Sequence, residues 1–327
     1  MASTTTELDN IVPIDTSGII PYERETDFYI EIPMLAPAAP QTIKTRYRLT
    51  NGQIQDDSRP IVVVLHGFCS SLTLMQIICD SISDTLDATV LSIDLPNHGF
   101  TDFSTEENIN AGFFVQFLNA FFEAVNLNRP YYLFGHSMGG AICTAFAADQ
   151  LSRAETHLKG IMLSAAAGLV VHGHDSWGMR RVQSNGMFGK FLFAIVARKF
   201  FRKMVNEELL VKYSGTAKAD WYDYLFERRG FRPIRRKMRD IIATFEWDGL
   251  GPQAEIIGGH PEFPVMYFYA DQDNLLSEEE VNSVWKAAIP QLQIEVLRNH
   301  PHDVYLSCPV KVGQVAAGFV AESLSKS

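Results

Sequence analysis

No stretch of this chain approaches 18 uninterrupted apolar residues, so no membrane-spanning helix is expected. The opening MASTTTELDNIVPIDTSG has neither a basic start nor an apolar core, which argues against a secretory signal peptide. The closing SKS lacks the final leucine of a peroxisomal address. Cysteine is scarce. Cys69, Cys79, Cys143 and Cys308 show no C-x-x-C spacing, so the expectation is buried, reduced thiols in a cytoplasmic protein. A basic surplus is missing as well: 28 Lys and Arg stand against 38 Asp and Glu, a net charge of −10, and that balance argues against nucleic acid as a main partner. There is no internal repeat, and no low-complexity segment beyond a loose N-terminus.

What is present suits a soluble globular chain with a sizeable core: 327 residues, 46% hydrophobic and 20% charged. Short apolar runs alternate with amphipathic stretches, the pattern of βα units around a mostly parallel sheet, hence an α/β fold. IVVVL (61–65), TVLSIDL (89–95), YYLF (131–134), GIMLSA (160–165), VMYFY (265–269) and IEVL (294–297) are expected as buried strands. FYIEI and IKTRYRL alternate and suit an antiparallel edge hairpin. Helices are expected at about 106–125, 138–150, 277–288 and 309–323, the first opened by a Ser104/Glu107 capping box. From about 177 to 251 the alternation stops and the sign of the charge inverts. Residues 180–240 hold 16 Lys and Arg and 6 Asp and Glu, leaving 12 basic and 32 acidic residues elsewhere. The expected organisation is a flexible segment over 1–25, a core domain over 26–176 and 252–327, and a helical cap inserted at 177–251.

Within YYLFGHSMGGAICTAFAA the polar Ser137 stands where a buried strand turns into a buried helix. Gly135-His136-Ser137-Met138-Gly139 matches G-x-S-x-G in the context of a nucleophile elbow. Glycines two before and two after the serine relieve crowding across a strained turn, and the helix start aims N–H groups at developing negative charge. A serine hydroxyl is a poor nucleophile, so it needs a base, an acid to orient that base, and donors for an oxyanion.

GHSMGG after one strand, LHGF (65–68) after another, and DLPNHGFTD (94–102) closely resemble the α/β-hydrolase superfamily, in its lipase, esterase and carbon–carbon hydrolase branch. The resemblance covers roughly residues 45–170 and 260–320, and the insert falls where such enzymes carry a helical cap. Asn97 departs from the glycine of the usual DLPGHG. The resemblance implies Ser137 as nucleophile and the backbone N–H groups of Phe68 and Met138 as oxyanion hole. His66, Gly67, Gly135, His136 and Gly139 would support that loop and elbow. Serine at 137 speaks against the aspartate-dependent dehalogenases and epoxide hydrolases of this fold.

The family's chain order is serine, acid, histidine. ADQDNLLS after the 265–269 strand resembles the family's acid loop with Ala270 for glycine; its register favours Asp273, with Asp271 the alternative. Asp175 would serve only if the acid had moved to the loop after the 160–165 strand. In NHPHDVYLSCP the family's order of histidine, valine, tyrosine and proline fits His302 and falls out of register from His300, with Pro301 replacing glycine. Zinc at His300 and His302, or at His172 and His174, lacks any cysteine or carboxylate support. No cofactor is expected.

In the insert, Phe188, Phe191, Leu192, Ile195, Val196, Phe200 and Met204 lie near helical spacing with Lys199, Arg202 and Lys203 between them. The base-rate reading is a helix packed on the core. The functional reading is a cap over an apolar acyl pocket whose basic face meets anionic membrane peripherally. ERRGFRPIRRKMRD adds like charges that call for acidic neighbours, which the core domain could itself supply. The chain is thus expected to be a cytoplasmic serine hydrolase acting on a small-molecule ester or lipid. A carbon–carbon bond hydrolase with the same triad and a non-enzymatic lipid-binding scaffold are the alternatives. Oligomeric state is not legible.

Overall fold

The computed structural model describes residues 27–34, 40–153, 155–170, 193, 195, 197 and 231–326. Eight strands form one sheet: β1 (Asp27–Met34), β2 (Gln41–Thr50), β3 (Ile61–Leu65), β4 (Thr89–Ile93), β5 (Tyr131–His136), β6 (Leu158–Ser164), β7 (Val265–Ala270) and β8 (Gln293–Leu297). Their spatial order is β1-β2-β4-β3-β5-β6-β7-β8. β1 and β2 form the expected antiparallel edge hairpin, β2 is antiparallel to β4, and every pairing from β4 to β8 is parallel. This is an α/β-hydrolase fold. The helices are α1 (Gln76–Leu86), α2 (Ala111–Ala124), α3 (Met138–Leu151), α4 (Phe231–Thr244), α5 (Gly251–Gly258), α6 in three joined pieces (Glu278–Glu280, the π turn Val281–Trp285, and Lys286–Ala288), α7 (Val304–Ser307) and α8 (Pro309–Ser325).

The central strands are largely apolar because both sheet faces are covered, and side chains alternate between two cores. Ile61, Val63 and Leu65 of β3 join Phe114, Phe117 and Phe146 on the face of α2 and α3. Val62 and Val64 join Ile78, Ile82, Ala316 and Val320 on the face of α1 and α8. A buried ionic group ties the edge hairpin down: Arg46 and Arg48 both bind Asp27, and Arg46 also reaches Asp94.

Two expectations need correction. The helix expected from about 106 begins at Ala111, and the Ser104/Glu107 capping box does not form. Ser104 Oγ instead contacts Gln41 and accepts the Glu106 N–H, while Asn110 caps the helix by accepting from Phe113 N–H at 2.8 Å. α1, between β3 and β4, had no sequence expectation. Its buried face carries the polar Gln76, Ser81 and Ser83 beside Ile78, Cys79 and Ile82.

Strand order places the site. β3 lies between β4 and β5, so the chain leaves β3 in one direction and returns past it in the other. Open α/β sheets bind ligands at such a reversal, beyond the carboxyl ends of the strands. Those ends are Leu65, which leads into His66-Gly67-Phe68, and His136, which leads into Ser137.

Of the inserted region, 177–230 lies outside the described residues apart from Phe193, Ile195 and Ala197, as do 1–26, His172, His174 and Asp175. Within the described part, the basic stretch turns onto acidic core. Arg236 pairs with Glu107 at 2.6 Å, and Lys237 donates to the Glu106 carbonyl at 2.7 Å and sits 3.8 Å from Asp240.

Candidate active site

Ser137 joins β5 to α3 with φ 52° and ψ −114°, a conformation L-residues adopt only when their surroundings impose it. The surroundings do so through three bonds: Ser137 N–H donates to Ser164 C=O (2.8 Å), and Ser137 C=O accepts from Gly140 N–H (2.9 Å) and Ala167 N–H (3.1 Å). A Cβ on Gly135 would overlap the Gly139 carbonyl and meet Cys143 Sγ at 2.6 Å. A Cβ on Gly139 would stand 2.5 Å from Leu65 O and 2.7 Å from His66 O. The glycines around the serine therefore let the elbow close on itself and on the end of β3.

That contact brings the His66-Gly67-Phe68 loop to the serine: a Cβ on Gly67 would lie 3.2 Å from Ser137 Cβ. His66 is fully buried, with Nδ1 2.7 Å from Gly67 O and Nε2 accepting from Leu95 N–H at 3.0 Å. Burial pulls its pKa down, only partly opposed by the charge of Asp94, so this imidazole is neutral and committed to holding two loops together. Asn97 has φ 72°, a left-handed conformation asparagine tolerates, which explains how this loop works without the glycine common there. Met138 opens α3, where N–H groups of the first turn have no intrahelical partner.

Asp273 follows β7 and His302 follows β8. His302 Nδ1 lies 2.7 Å from Asp273 Oδ2, and the other carboxylate oxygen accepts from Leu275 N–H at 2.7 Å. The Asp273 side chain is 0% exposed and that of His302 is 21% exposed. Asp271 faces elsewhere: it accepts from Asn299 N–H at 2.6 Å and lies 3.8 Å from Arg298. The carbonyl of His300 accepts from Gln272 N–H at 3.0 Å, fastening the two loops together. Burial lowers the pKa of His302, but the Asp273 hydrogen bond and charge, helped by Asp303, outweigh it and hold the imidazole above its ordinary value. With Nδ1 on the carboxylate, Nε2 is the nitrogen left for chemistry.

The histidine and serine loops meet through rings. His302 packs on His136, the residue before the serine, at 5.0 Å between centroids, and His136 packs edge-on against Tyr305 at 4.9 Å. His136 is buried, with Nδ1 3.4 Å from Ser164 Oγ, and burial together with the nearby His302 drives its pKa well below the ordinary value. Ser164 and the Tyr305–Asp303 hydrogen bond (3.1 Å) completing this cluster escaped sequence reasoning. Tyr305 was visible only as a pattern position, and Ser164 only as the end of a strand. Among the described residues no group of three or more His, Cys, Asp or Glu could hold a metal ion, and no helix is long and apolar enough to cross a membrane.

With fold, elbow and acid–histidine pair in place, comparison with known proteins defines the class. The family model for the alpha/beta hydrolase fold matches residues 60–308, and the chain belongs to that family. It is a hydrolase enzyme, and its relatives are lipases and esterases. Monoacylglycerol lipase ABHD6 of Bos taurus is 22% identical over 268 residues, covering 80% of this chain and 76% of the relative. Protein phosphatase methylesterase 1 of Rattus norvegicus is 31% identical over 94 residues, 28% of this chain and 24% of that one. Among solved structures, a putative lipase from Acinetobacter baumannii superposes with a TM-score of 0.64 at 18% identity, covering 91% of this chain and 93% of the other. An esterase from Thermogutta terrifontis gives 0.63 at 17%, covering 90% and 99%.

Proposed function

We propose that the chain is a serine hydrolase of carboxylic esters with an apolar acyl group, working through Ser137, His302 and Asp273. The observation that carries the reading is the 2.7 Å Asp273–His302 hydrogen bond on a ring packed beside the strained serine elbow. His302 takes the proton from Ser137 Oγ as the oxygen attacks the acyl carbon, and Asp273 holds the tautomer and stabilises the imidazolium. Backbone N–H groups of Phe68 and Met138 receive the negative charge that develops on the carbonyl oxygen. The protonated His302 releases the alcohol, and water repeats the cycle on the acyl-enzyme. The apolar preference is supported by the monoacylglycerol lipase relative.

Residues 177–251 form the cap of this reading and 26–176 with 252–327 its catalytic domain. The enzyme is cytoplasmic, with peripheral contact to anionic membrane through basic residues 188–204, and co-sedimentation with anionic vesicles at low salt tests that contact. Fluorophosphonate labelling and turnover of p-nitrophenyl esters from C2 to C16 test the chemistry. Both are expected to vanish in Ser137→Ala and to fall by several orders of magnitude in His302→Ala, while His300→Ala retains them. Full activity in Ser137→Ala refutes the mechanism. Turnover of a vinylogous diketone without turnover of any ester moves the enzyme to carbon–carbon cleavage.

A further inference from the structure

Two strained residues flank the N–H groups that this mechanism uses. Ser137 at φ 52° precedes Met138, and Cys69 at φ 55° follows Phe68. Neither is glycine, so each conformation persists only where contacts over-determine it. The contacts on both sides converge on one segment, residues 245–250, where α4 returns the chain to the core.

On the oxyanion-loop side, the ring of Phe68 is clamped edge-on between Trp247 (5.6 Å, 83°) and His98 (6.0 Å, 78°). Trp247 is itself fixed: its ring packs on Phe245 at 4.9 Å, Phe245 packs on Phe114 of α2 at 6.0 Å, and the indole N–H donates to Ile242 C=O at 3.3 Å. On the elbow side, Trp247 C=O accepts from Gly168 N–H at 2.7 Å, and Gly168 C=O accepts from Leu250 N–H at 2.7 Å. The adjacent Ala167 N–H donates to Ser137 C=O. Gly168 has φ +119°, and a Cβ there would come within 3.0 Å of Leu250 and 3.3 Å of Ala141, so the brace closes tightly on α3. One residue thus touches Phe68 through its ring and, through its carbonyl, Gly168, whose neighbour Ala167 bonds Ser137 C=O.

Resting on the serine-hydrolase reading, we infer that Trp247 is a positioning residue that sets the spacing of the Phe68 and Met138 N–H groups. It contacts neither reacting atom. Its effect is selective for the transition state, because a carbonyl oxygen in the ground state demands far less of those donors than a tetrahedral oxyanion does.

The test compares wild type, Ser137→Ala, Trp247→Ala and Trp247→Phe in the full chain, measuring kcat and KM on a p-nitrophenyl ester and inhibition by phenylboronic acid. Boron accepts the serine oxygen, the serine proton passes to His302, and the resulting tetrahedral adduct places a boron-bound hydroxyl in the cradle. Trp247→Ala is expected to lose about ten- to a hundredfold in kcat, the scale of a misplacement below or near 1 Å. Its KM should change by less than about threefold, and boronic acid affinity should fall in step with kcat/KM. Trp247→Phe, which keeps an aromatic edge toward Phe68, is expected to recover most of both. Should Trp247→Ala fail to fold, Phe68→Leu opens the same ring contact from the other side and keeps the backbone N–H, with the same kcat loss expected. A rise in KM with kcat and boronate affinity intact would make Trp247 a pocket wall and overturn the inference, as would an unchanged kcat in Phe68→Leu. Absence of Ser137-dependent turnover in the wild type would instead overturn the serine-hydrolase reading, and this inference with it.

Discussion

Alanine at Gly139 and at Gly318 should move stability in opposite directions, although both glycines lie in helices. Gly318 of α8 has nothing within 4 Å of a built Cβ, so alanine there adds only helix propensity, a gain of about 0.5–1 kcal/mol. At Gly139 the new Cβ meets Leu65 O at 2.5 Å, His66 O at 2.7 Å and Leu65 C at 2.9 Å. All three are backbone atoms at the end of a central strand bonded to neighbours on both sides, so they cannot swing away as a side-chain tip would. Overpacking of this kind costs about 1–3 kcal/mol, and propensity offsets less than about 1 at the second helical residue. A net loss of about 2 kcal/mol follows for Gly139→Ala. The same displacement pushes the His66-Gly67-Phe68 loop away from Ser137, so kcat should drop about tenfold on top of the stability change. Urea unfolding followed by tryptophan fluorescence reads the first quantity, and ester turnover under native conditions reads the second. A Gly139→Ala protein as stable as wild type with unchanged kcat would refute the close approach of elbow and β3.

Two pH dependences carry opposite signs. The raised pKa of His302 places the acid limb of kcat/KM above the ordinary histidine value of about 6.5, and Asp273→Asn is expected to move that limb down while lowering its plateau; a limb unmoved by Asp273→Asn would contradict the coupling. For stability, the raised His302 contributes fully below about pH 6.5 and its contribution is lost as pH rises through its folded pKa. His66 and His136, both depressed by burial, do the reverse: the unfolded chain binds their protons first, so stability falls as pH drops below about 6.5. His302→Gln, which removes the opposing contribution, should therefore lose more stability than wild type between pH 7.5 and 5.5. Equal losses measured by urea melts would show that the three histidines do not titrate as their surroundings imply.

Periodicity and motif grammar carried a great deal here. Buried parallel strands announce themselves as short β-branched and aromatic runs because both their faces are covered, so the α/β class and the placement of Ser137 at a strand-to-helix junction needed no coordinates. The same local logic failed at Ser104, whose hydroxyl is claimed by Gln41, 63 residues away. Only the tertiary structure decided which carboxylate touches a histidine. Asp271 and Asp273 are two residues apart in one loop, yet one turns onto Asn299 N–H and the other is sealed against His302. Nor does any spacing reveal that Trp247 lies against Phe68, 179 positions earlier in the chain, or that His136 lies against His302. Sequence spacing reports neighbours within an element, through backbone geometry common to all helices and strands. Contacts between loops at the ends of different strands depend on strand order and crossover, which arise only when the whole sheet assembles.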